Sequence, residues 1–264
     1  MGQNKGLVIG IVVASLAATG VILYLKGKKA PPPPPPAPVE APAMPAPAPA
    51  PTQMPLPALT ASDDFIRSHA ASLSSNPGWA EWLKQSDLLN RLAGAVEIMN
   101  NGKLPKDAFD FLAPKKKFTT IKNGGKTYLD PKSYSRYDGV ASVVDSINAA
   151  DAAKLFMNVK PLLNEACQLV GSRTCDMQER SLRIIKSLLA VPEVDGGVRV
   201  TPKIVTWAMA DPALEGLSAP QKVILRMGPK NGPKVQAKLR AFALGIGGSD
   251  ADLPKPQVYT PKTN

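Results

Sequence analysis

A proline- and alanine-rich stretch over residues 30–59 constrains the fold of this 264-residue chain more than any other feature. It holds about half of the 28 prolines in the chain and opens with a run of them after Ala30. Proline fixes its own φ and lacks an N–H, so the composition favours polyproline II and cannot form a core. At ~3.1 Å per residue the stretch reaches up to about 80 Å. We expect an inert spacer; a PxxP docking segment is the alternative.

An uncharged apolar run precedes the spacer, from Leu7 to Leu25. At about 1.5 Å per residue it spans roughly 28 Å as a helix, close to the thickness of the hydrocarbon core of a bilayer. Tyr24 lies at one edge, where interfacial aromatic residues are found. A cleaved signal peptide is the alternative, but the apolar run continues past the small residues around Ser15. We therefore predict an uncleaved, single transmembrane span.

The region from Asp211 to Arg240 carries the densest set of helix boundary signals. Asp211 before Pro212 predicts an N-cap with proline at N1, and Ser218 with Gln221 predicts a capping box. Gly228-Pro229 predicts the end of one helix, and Asn231-Gly232-Pro233 a turn with the next helix starting at Pro233. No acidic residue occurs from Gly216 to Ser249. The stretch from Gly216 to Ser249 therefore has charge of a single, positive sign.

The string LEGLSAPQKVILRMGPKNG in this region resembles the bacterial family known as domain of unknown function 3014. Three upstream strings resemble it in the same order: LDP with Tyr134, Arg136 and Tyr137, then PLLNEA from Pro161, and LLAVPE from Leu188. The resemblance covers roughly residues 79–244, with Cys167 standing where the family more often has tyrosine. It implies a membrane anchor, a proline-rich spacer and a helical domain. It implies no catalytic residues.

The orientation of the span is decided by a small charge difference. Lys5 and the terminal amine precede the span, whereas Lys26, Lys28 and Lys29 follow it. The positive-inside rule therefore leans slightly towards a cytoplasmic C-terminal domain. The family resemblance implies the opposite orientation. We predict a single-pass protein of the bacterial inner membrane whose C-terminal domain lies in the periplasm.

The remaining residues predict one mainly α-helical domain. Apolar residues recur at helical spacing over most of it, including a long helix over residues 149–170 that Pro161 should kink or restart. One small β-hairpin is expected around Asn123-Gly124-Gly125. The predicted organisation is an anchor (1–29), a linker (30–59), a helical domain (60–246) and a flexible tail (247–264).

Several motifs of enzymes and metal sites are missing from the sequence. His69 is the single histidine, which excludes HExxH and histidine-rich metal sites, and it falls on the apolar side of a predicted helix. No G-x-S-x-G string occurs. Gly125-Lys126-Thr127 resembles the end of a P-loop, but Thr120 stands where the pattern needs glycine. We predict no enzyme activity, no metal site and no cofactor.

Paired carboxylates are better explained as helix caps than as general acids and bases. Asp63-Asp64 precedes a helix, and Asp107 with Asp110 follows Pro105, where an acid offsets the helix dipole. Asp250 and Asp252 fall in the predicted tail. The cysteines, Cys167 and Cys175, are eight residues apart at a helix end and in the following loop. Their spacing allows a disulfide in an oxidising compartment and equally two buried thiols.

The basic run is the candidate binding site. The residues expected to face an anionic partner are Lys222, Arg226, Lys230, Lys234 and Lys238. Free N–H groups at a helix start at Pro233, between Lys230 and Lys234, would suit an anion. An ordinary solvated face is the alternative. Aromatic residues are sparse here, which disfavours nucleic acid.

These observations predict a non-enzymatic, membrane-anchored interaction module that projects a basic helical domain into the periplasm to bind an envelope protein or anionic polymer. A cryptic wall-processing hydrolase is one alternative. A cytoplasm-facing tether for nucleic acid or anionic lipid is the other. The sequence predicts neither the identity of the partner nor the oligomeric state.

Overall fold

The structure is a computed structural model that describes residues 55–106, 108, 113–170 and 174–261. The predicted span Leu7–Leu25 and most of the predicted linker lie outside these residues. Within them, no helix combines the length and apolar character needed to cross a bilayer. The packed part begins slightly before the predicted boundary at residue 60, since Leu59 is buried and Leu56 packs against the same cluster.

The described part is mainly helical, as predicted. The α-helices are α1 (Ser62–Ala70), α2 (Pro77–Leu83), α3 (Leu88–Asn100), α4 (Asp138–Ser146), α5 (Ala149–Leu169), α6 (Met177–Leu189), α7 (Pro212–Glu215) and α8 (Ala219–Gly245). Short 3₁₀ helices lie at Leu59–Ala61, Ala71–Leu73, Pro131–Tyr137 and Asp250–Asp252. Helix α5 runs through Pro161 without restarting.

Side-chain caps set many of the helix starts. Asp211 accepts a hydrogen bond from the Ala213 N–H ahead of α7, with Pro212 at the first helical position. Ser218 and Gln221 form the predicted capping box at the start of α8. Asn148 accepts from two N–H groups of α5. These short polar side chains satisfy N–H groups that have no partner within the helix.

The strands are β1 (Thr120–Asn123), β2 (Lys126–Leu129), β3 (Glu193–Val194), β4 (Val200–Pro202), β5 (Trp207–Met209) and β6 (Val258–Tyr259). Strands β1 and β2 form the predicted hairpin, closed by Gly124 and Gly125, both with positive φ. Strands β4 and β5 form a second antiparallel hairpin, and β3 pairs with β6 in parallel. The prediction of one hairpin was therefore incomplete, because three-residue strands give little periodic signal.

Two main clusters of buried residues form the interior. The first surrounds α3 and α5, with Phe156 and Leu163 among its buried residues. The second joins the hairpins to the Pro131–Tyr137 segment and to α8. The disulfide between Cys167 and Cys175, with a Cα–Cα distance of 6.0 Å, ties the end of α5 to the loop before α6. The structure therefore has the disulfide rather than two buried thiols.

The C-terminal segment, predicted to be a flexible tail, packs onto the domain as far as β6. The Arg240 guanidinium donates to the Asp250 carboxylate at 2.6 Å and to the Pro254 carbonyl. Leu253 is buried beside α6 and α8. The Tyr259 hydroxyl donates to Asp211 at 2.8 Å. These contacts lie far apart in sequence, so the polar composition of the segment gives no sign of them.

Candidate anion-binding groove

A kink at Gly228 divides α8 into two helices. Gly228 has φ 71° and ψ −177°, a conformation open essentially to glycine alone. A Cβ at this position would lie 2.4 Å from the Tyr134 ring. Lys222 and Arg226 precede the kink, and Lys230, Lys234 and Lys238 follow it. The five predicted basic residues therefore do not form one stripe along a single helix.

The prediction that a helix starts at Pro233 is wrong. Pro233 lies inside α8, and the neighbouring Asn231 is buried. The Asn231 side-chain amide donates to Asp138 at 2.8 Å and to the Tyr134 carbonyl at 3.3 Å. These contacts with distant residues outweigh the turn preference of Asn-Gly-Pro. The predicted anion site between Lys230 and Lys234 at that start is therefore lost.

A carboxylate of the domain itself lies beside the kink. The hydrogen bond from Asn231 lowers the pKa of Asp138; burial raises this pKa by a smaller amount, and the positive charge of Lys230 lowers it further. The Lys230 ammonium lies 3.7 Å from the Asp138 carboxylate. Lys230 is thus an ion-pair partner of Asp138 rather than a free cation.

Two more of the predicted residues have partners within the domain. The Lys222 ammonium lies 3.2 Å from the Glu215 carboxylate and keeps 18% of its side chain exposed. The Lys238 ammonium donates to the Ile147 carbonyl at 2.6 Å. Lys234 is exposed, and no ion pair between described residues includes it or Arg226. Arg226 and Lys234 are thus the two predicted residues left for an outside anion.

Arg226 lines a groove of about 390 Å³ between the β4–β5 hairpin and the Pro131–Tyr137 segment. We call it the Arg226 groove. Its walls combine three aromatic rings with two guanidinium groups and aliphatic side chains. The aromatic and basic residues are Phe118, Tyr137, Trp207, Arg136 and Arg226. The remaining residues are Val200, Val205, Thr206 and Met209.

Arg136 is held in place by contacts that leave its charge uncompensated by any described carboxylate. Its Nε donates to the Lys116 carbonyl at 2.8 Å. Its guanidinium carbon lies 5.8 Å from the centroids of both the Phe118 and Tyr137 rings, within the range of a cation–π contact. Such a guanidinium is oriented before an anion arrives.

Arg226 lies close enough to Arg136 to act on the same ring. Burial raises the pKa of the Tyr137 hydroxyl, and the positive charges of Arg136 and then Arg226 partly oppose that effect. Arg226 is half-buried, so its attraction for an anion is less screened than that of a fully exposed lysine. Two guanidinium groups beside aromatic rings are suited to a carboxylate or phosphate.

Glu215 holds the hairpin wall of the groove against α8. Its carboxylate accepts from the Lys203 ammonium at 2.9 Å and from the Met209 N–H at 3.0 Å, and it pairs with Lys222. Burial raises the pKa of Glu215, but the bonds from Lys203, Met209 and Lys222 outweigh this and lower it to about 2. Glu215 is therefore a positioning residue for the groove.

The other candidate residues from the sequence that the structure describes make contacts within the domain. The His69 ring stacks on Phe65 with centroids 4.1 Å apart, and its Nδ1 lies 2.7 Å from the Phe65 carbonyl. Asp63 and Asp64 both pair with Arg67. Asp107 and Asp110 lie outside the described residues. Among the residues that are described, no group of three or more potential metal ligands clusters together.

Two other concave regions differ in chemistry from the Arg226 groove. A cavity of about 330 Å³ near Trp79 and Trp82 has an almost wholly apolar lining. A wider cleft of about 740 Å³ contains Asp138, Lys115 and Arg136. The lowered pKa of Asp138 suits an ion pair, whereas a general acid needs a raised one.

Most residues of the Arg226 groove could not be predicted from the sequence. Arg226 was predicted, but Phe118, Arg136, Tyr137 and Trp207 lie far apart in the chain and meet only in the fold. A usable signal was present: residues 115–129 and 196–210, which contain both hairpins, have basic residues and no acidic ones. Charge counted along the one predicted hairpin and the segment just before it would have indicated this end of the domain.

A family model described as "Protein of unknown function (DUF3014)" matches residues 88–243, more than half of the chain. The chain belongs to the DUF3014 family. The match contains every residue of the Arg226 groove and the kink at Gly228, whereas β6 lies beyond it. No curated protein and no solved structure matches the chain. Membership of DUF3014 therefore confirms the resemblance without supplying an activity.

Proposed function

We propose that this DUF3014 protein is a non-enzymatic interaction module, anchored in the inner membrane through Leu7–Leu25, that binds an anionic group of an envelope partner in the Arg226 groove. One observation carries the proposal. Arg226 is half-buried in an aromatic-lined groove, and no described carboxylate forms an ion pair with it. Keeping a half-buried cation unpaired costs free energy, and an incoming anion would offset that cost.

The disulfide supports a periplasmic position for the domain. Disulfides persist in oxidising compartments and are rare in the cytosol. Cys167 and Cys175 are bonded, which suits the periplasm better than the cytoplasm that the lysines after the span favour. The spacer over residues 30–59 would then carry the groove away from the inner membrane towards other components of the envelope.

A binding measurement with soluble polyanions tests the proposal. The full chain in detergent is titrated with poly-L-glutamate and, separately, with inorganic polyphosphate, at low and at moderate salt. We expect Arg226→Gln to weaken binding about tenfold or more, because a charge-assisted hydrogen bond contributes about 1.5–3 kcal/mol.

Lys234→Gln is the matched control, because it removes one positive charge from the exposed surface of the same helix. It should reduce binding slightly, in line with its effect on net charge. Equal losses for the two variants would mean that diffuse charge, and not the groove, attracts the polyanion. No binding of either polyanion at low salt would reject the proposed function.

A further inference from the structure

The β4–β5 tip, residues 203–206, exposes two adjacent aliphatic side chains. Ile204 is 102% exposed and Val205 is 89% exposed, the highest values among the large apolar residues that the structure describes. Val205 also lines the Arg226 groove. A hairpin can be closed by small polar residues, so closure of this turn does not require two aliphatic residues in water. The tip therefore places apolar surface beside the Arg226 guanidinium, with which no carboxylate of the described residues forms an ion pair.

The neighbouring hairpin points its turn towards the same end of the domain. Tyr128 of β2 bridges Arg199 just before β4 in antiparallel fashion, and the Leu129 N–H donates to the Val198 carbonyl at 2.8 Å. In this antiparallel arrangement β2 runs away from the Gly124-Gly125 turn while β4 runs towards the β4–β5 tip, so the turn and the tip point the same way. Two turns thus form one edge of the molecule.

The two hairpin segments carry charge of one sign. Residues 115–129 and 196–210 contain no aspartate or glutamate. Their basic residues are Lys115, Lys116, Lys117, Lys122, Lys126, Arg199 and Lys203. Lys203 is paired with Glu215, which approaches from α7. Lys122 and Lys126, on the two strands that flank the Gly124-Gly125 turn, thus place basic charge at the same end of the hairpins as the protruding aliphatic tip.

We infer that the anionic partner of the Arg226 groove is the surface of an anionic phospholipid bilayer, with Ile204 and Val205 inserted among the lipids. The inference rests on the proposed function, because it uses the same groove. Arg226 and Arg136 bind a headgroup phosphate, and the lysines of the two hairpins lie along the negatively charged surface. Binding needs both signals, because two aliphatic residues alone give weak membrane affinity.

A bilayer fits this edge better than a folded protein does. A stable protein interface buries about 800 Å² on each partner with close shape complementarity. The β4–β5 tip is narrow and convex, so a protein partner would need a matching socket. Lipid headgroups part around a protruding turn, and the acyl region accepts aliphatic side chains of any shape.

The test uses a fluorescent reporter at the tip. Cys167 and Cys175 are bonded to each other, so a single introduced thiol, Val205→Cys, can be labelled selectively with an environment-sensitive nitrobenzoxadiazole dye. The labelled full chain is reconstituted into vesicles of phosphatidylcholine alone or with an equal part of phosphatidylglycerol. Each orientation of the chain meets the same bilayer surface, so orientation does not affect the result.

We expect the emission of the dye to increase several-fold and to shift to the blue in the anionic vesicles only. Lipids that carry a quencher in the acyl region should quench this emission. Moderate salt should reduce the increase, because it screens the lysines. Ile204→Asp in the labelled chain should abolish the increase, and Arg226→Gln should reduce it. Leu169→Asp, at another exposed aliphatic position, is the matched control and should leave it unchanged.

A label at Asn158→Cys, on an exposed position of α5, reports on non-specific contact with lipid. If the dye at position 205 shows the same emission in anionic vesicles as the dye at position 158, the inference is overturned. If soluble polyglutamate then still bound in an Arg226-dependent way, the proposed function would stand with an acidic protein as the partner. Failure of both measurements would reject the two proposals together.

Discussion

Gly228 sets the angle between the two halves of α8, and through it the position of Arg226 relative to the rest of the groove. We expect Gly228→Ala to destabilise the domain by about 2–4 kcal/mol, because it adds backbone strain and a clash with the Tyr134 ring. Thermal unfolding of the full chain measures this. Gly139→Ala in α4 is the matched control, since a Cβ there meets nothing within 4 Å. Equal unfolding temperatures for the two variants would contradict the role of Gly228.

Glu215 should make the stability of the domain depend on pH in the acid range. Its pKa is lowered in the folded protein to about 2, from 4.5, so the bonds it accepts stabilise the domain above about pH 4.5. That contribution is lost as the pH falls towards 2. With 31% of the side chain exposed, screening limits it to about 1–2 kcal/mol.

The measurement is chemical denaturation of the full chain between pH 6 and pH 2.5. This range covers most of the interval between the pKa of Glu215 in the unfolded chain, ~4.5, and in the folded protein, ~2. Glu215→Gln should lower stability at pH 6 and approach the wild type at the acid end. Glu165→Gln, at an exposed position on α5, should follow the wild type throughout. A Glu215→Gln curve parallel to the wild type at every pH would disprove the assignment.

At the scale of elements, the disulfide connects the end of α5 to the start of α6. Closing this short loop removes conformations from the unfolded chain, and we expect the bond to contribute about 2–3 kcal/mol. Replacing both cysteines, as Cys167→Ser with Cys175→Ser, should lower the unfolding temperature by several degrees. Reduction of the wild type should give a similar loss, and no effect of either treatment would contradict the bond's contribution.

Elements set by local chemistry were predictable from the sequence. The Ser218 capping box, the Asp211 cap and the Gly124-Gly125 turn all involve residues within a few positions of one another. The stop at Gly228 was also predicted, because it depends on the freedom of one glycine and the proline after it. Local signals of this kind do not depend on what the element packs against.

Elements set by distant contacts were not predictable in the same way. Pro233 lies inside α8 because Asn231 bonds to Asp138, a residue more than ninety positions away. The C-terminal segment is held by Asp211 through Tyr259 and by Arg240. Likewise, of the groove residues only Arg226 was predicted, because the rings and the second guanidinium come from three other segments. A charge pattern indicates an edge of the domain but not a pocket.

At the scale of the whole molecule, the proposal depends on which side of the membrane carries the groove. We expect the C-terminal domain to be digested by protease added to intact spheroplasts, while a cytoplasmic control protein is protected. The disulfide should then be present in cells, since the periplasm is oxidising. A protected domain with reduced cysteines would place the groove in the cytoplasm, where the inner leaflet and nucleic acid are the anionic partners to test.

The central claim is that the Arg226 groove, and no other concave surface, receives the anionic group. The three tryptophans test it directly, because Trp207 lines the groove while Trp79 and Trp82 line the apolar cavity. Full-length protein labelled with 5-fluorotryptophan is titrated with poly-L-glutamate and followed by fluorine NMR, with Trp207→Phe to assign the signals.

We predict that the Trp207 signal shifts in proportion to binding, that the Trp79 and Trp82 signals stay in place, and that Arg226→Gln abolishes the shift. A titration in which Trp79 or Trp82 moves while Trp207 does not would contradict the claim. Saturable binding that leaves all three signals unchanged would contradict it equally, because the polyanion would then lie on a surface that contains no tryptophan.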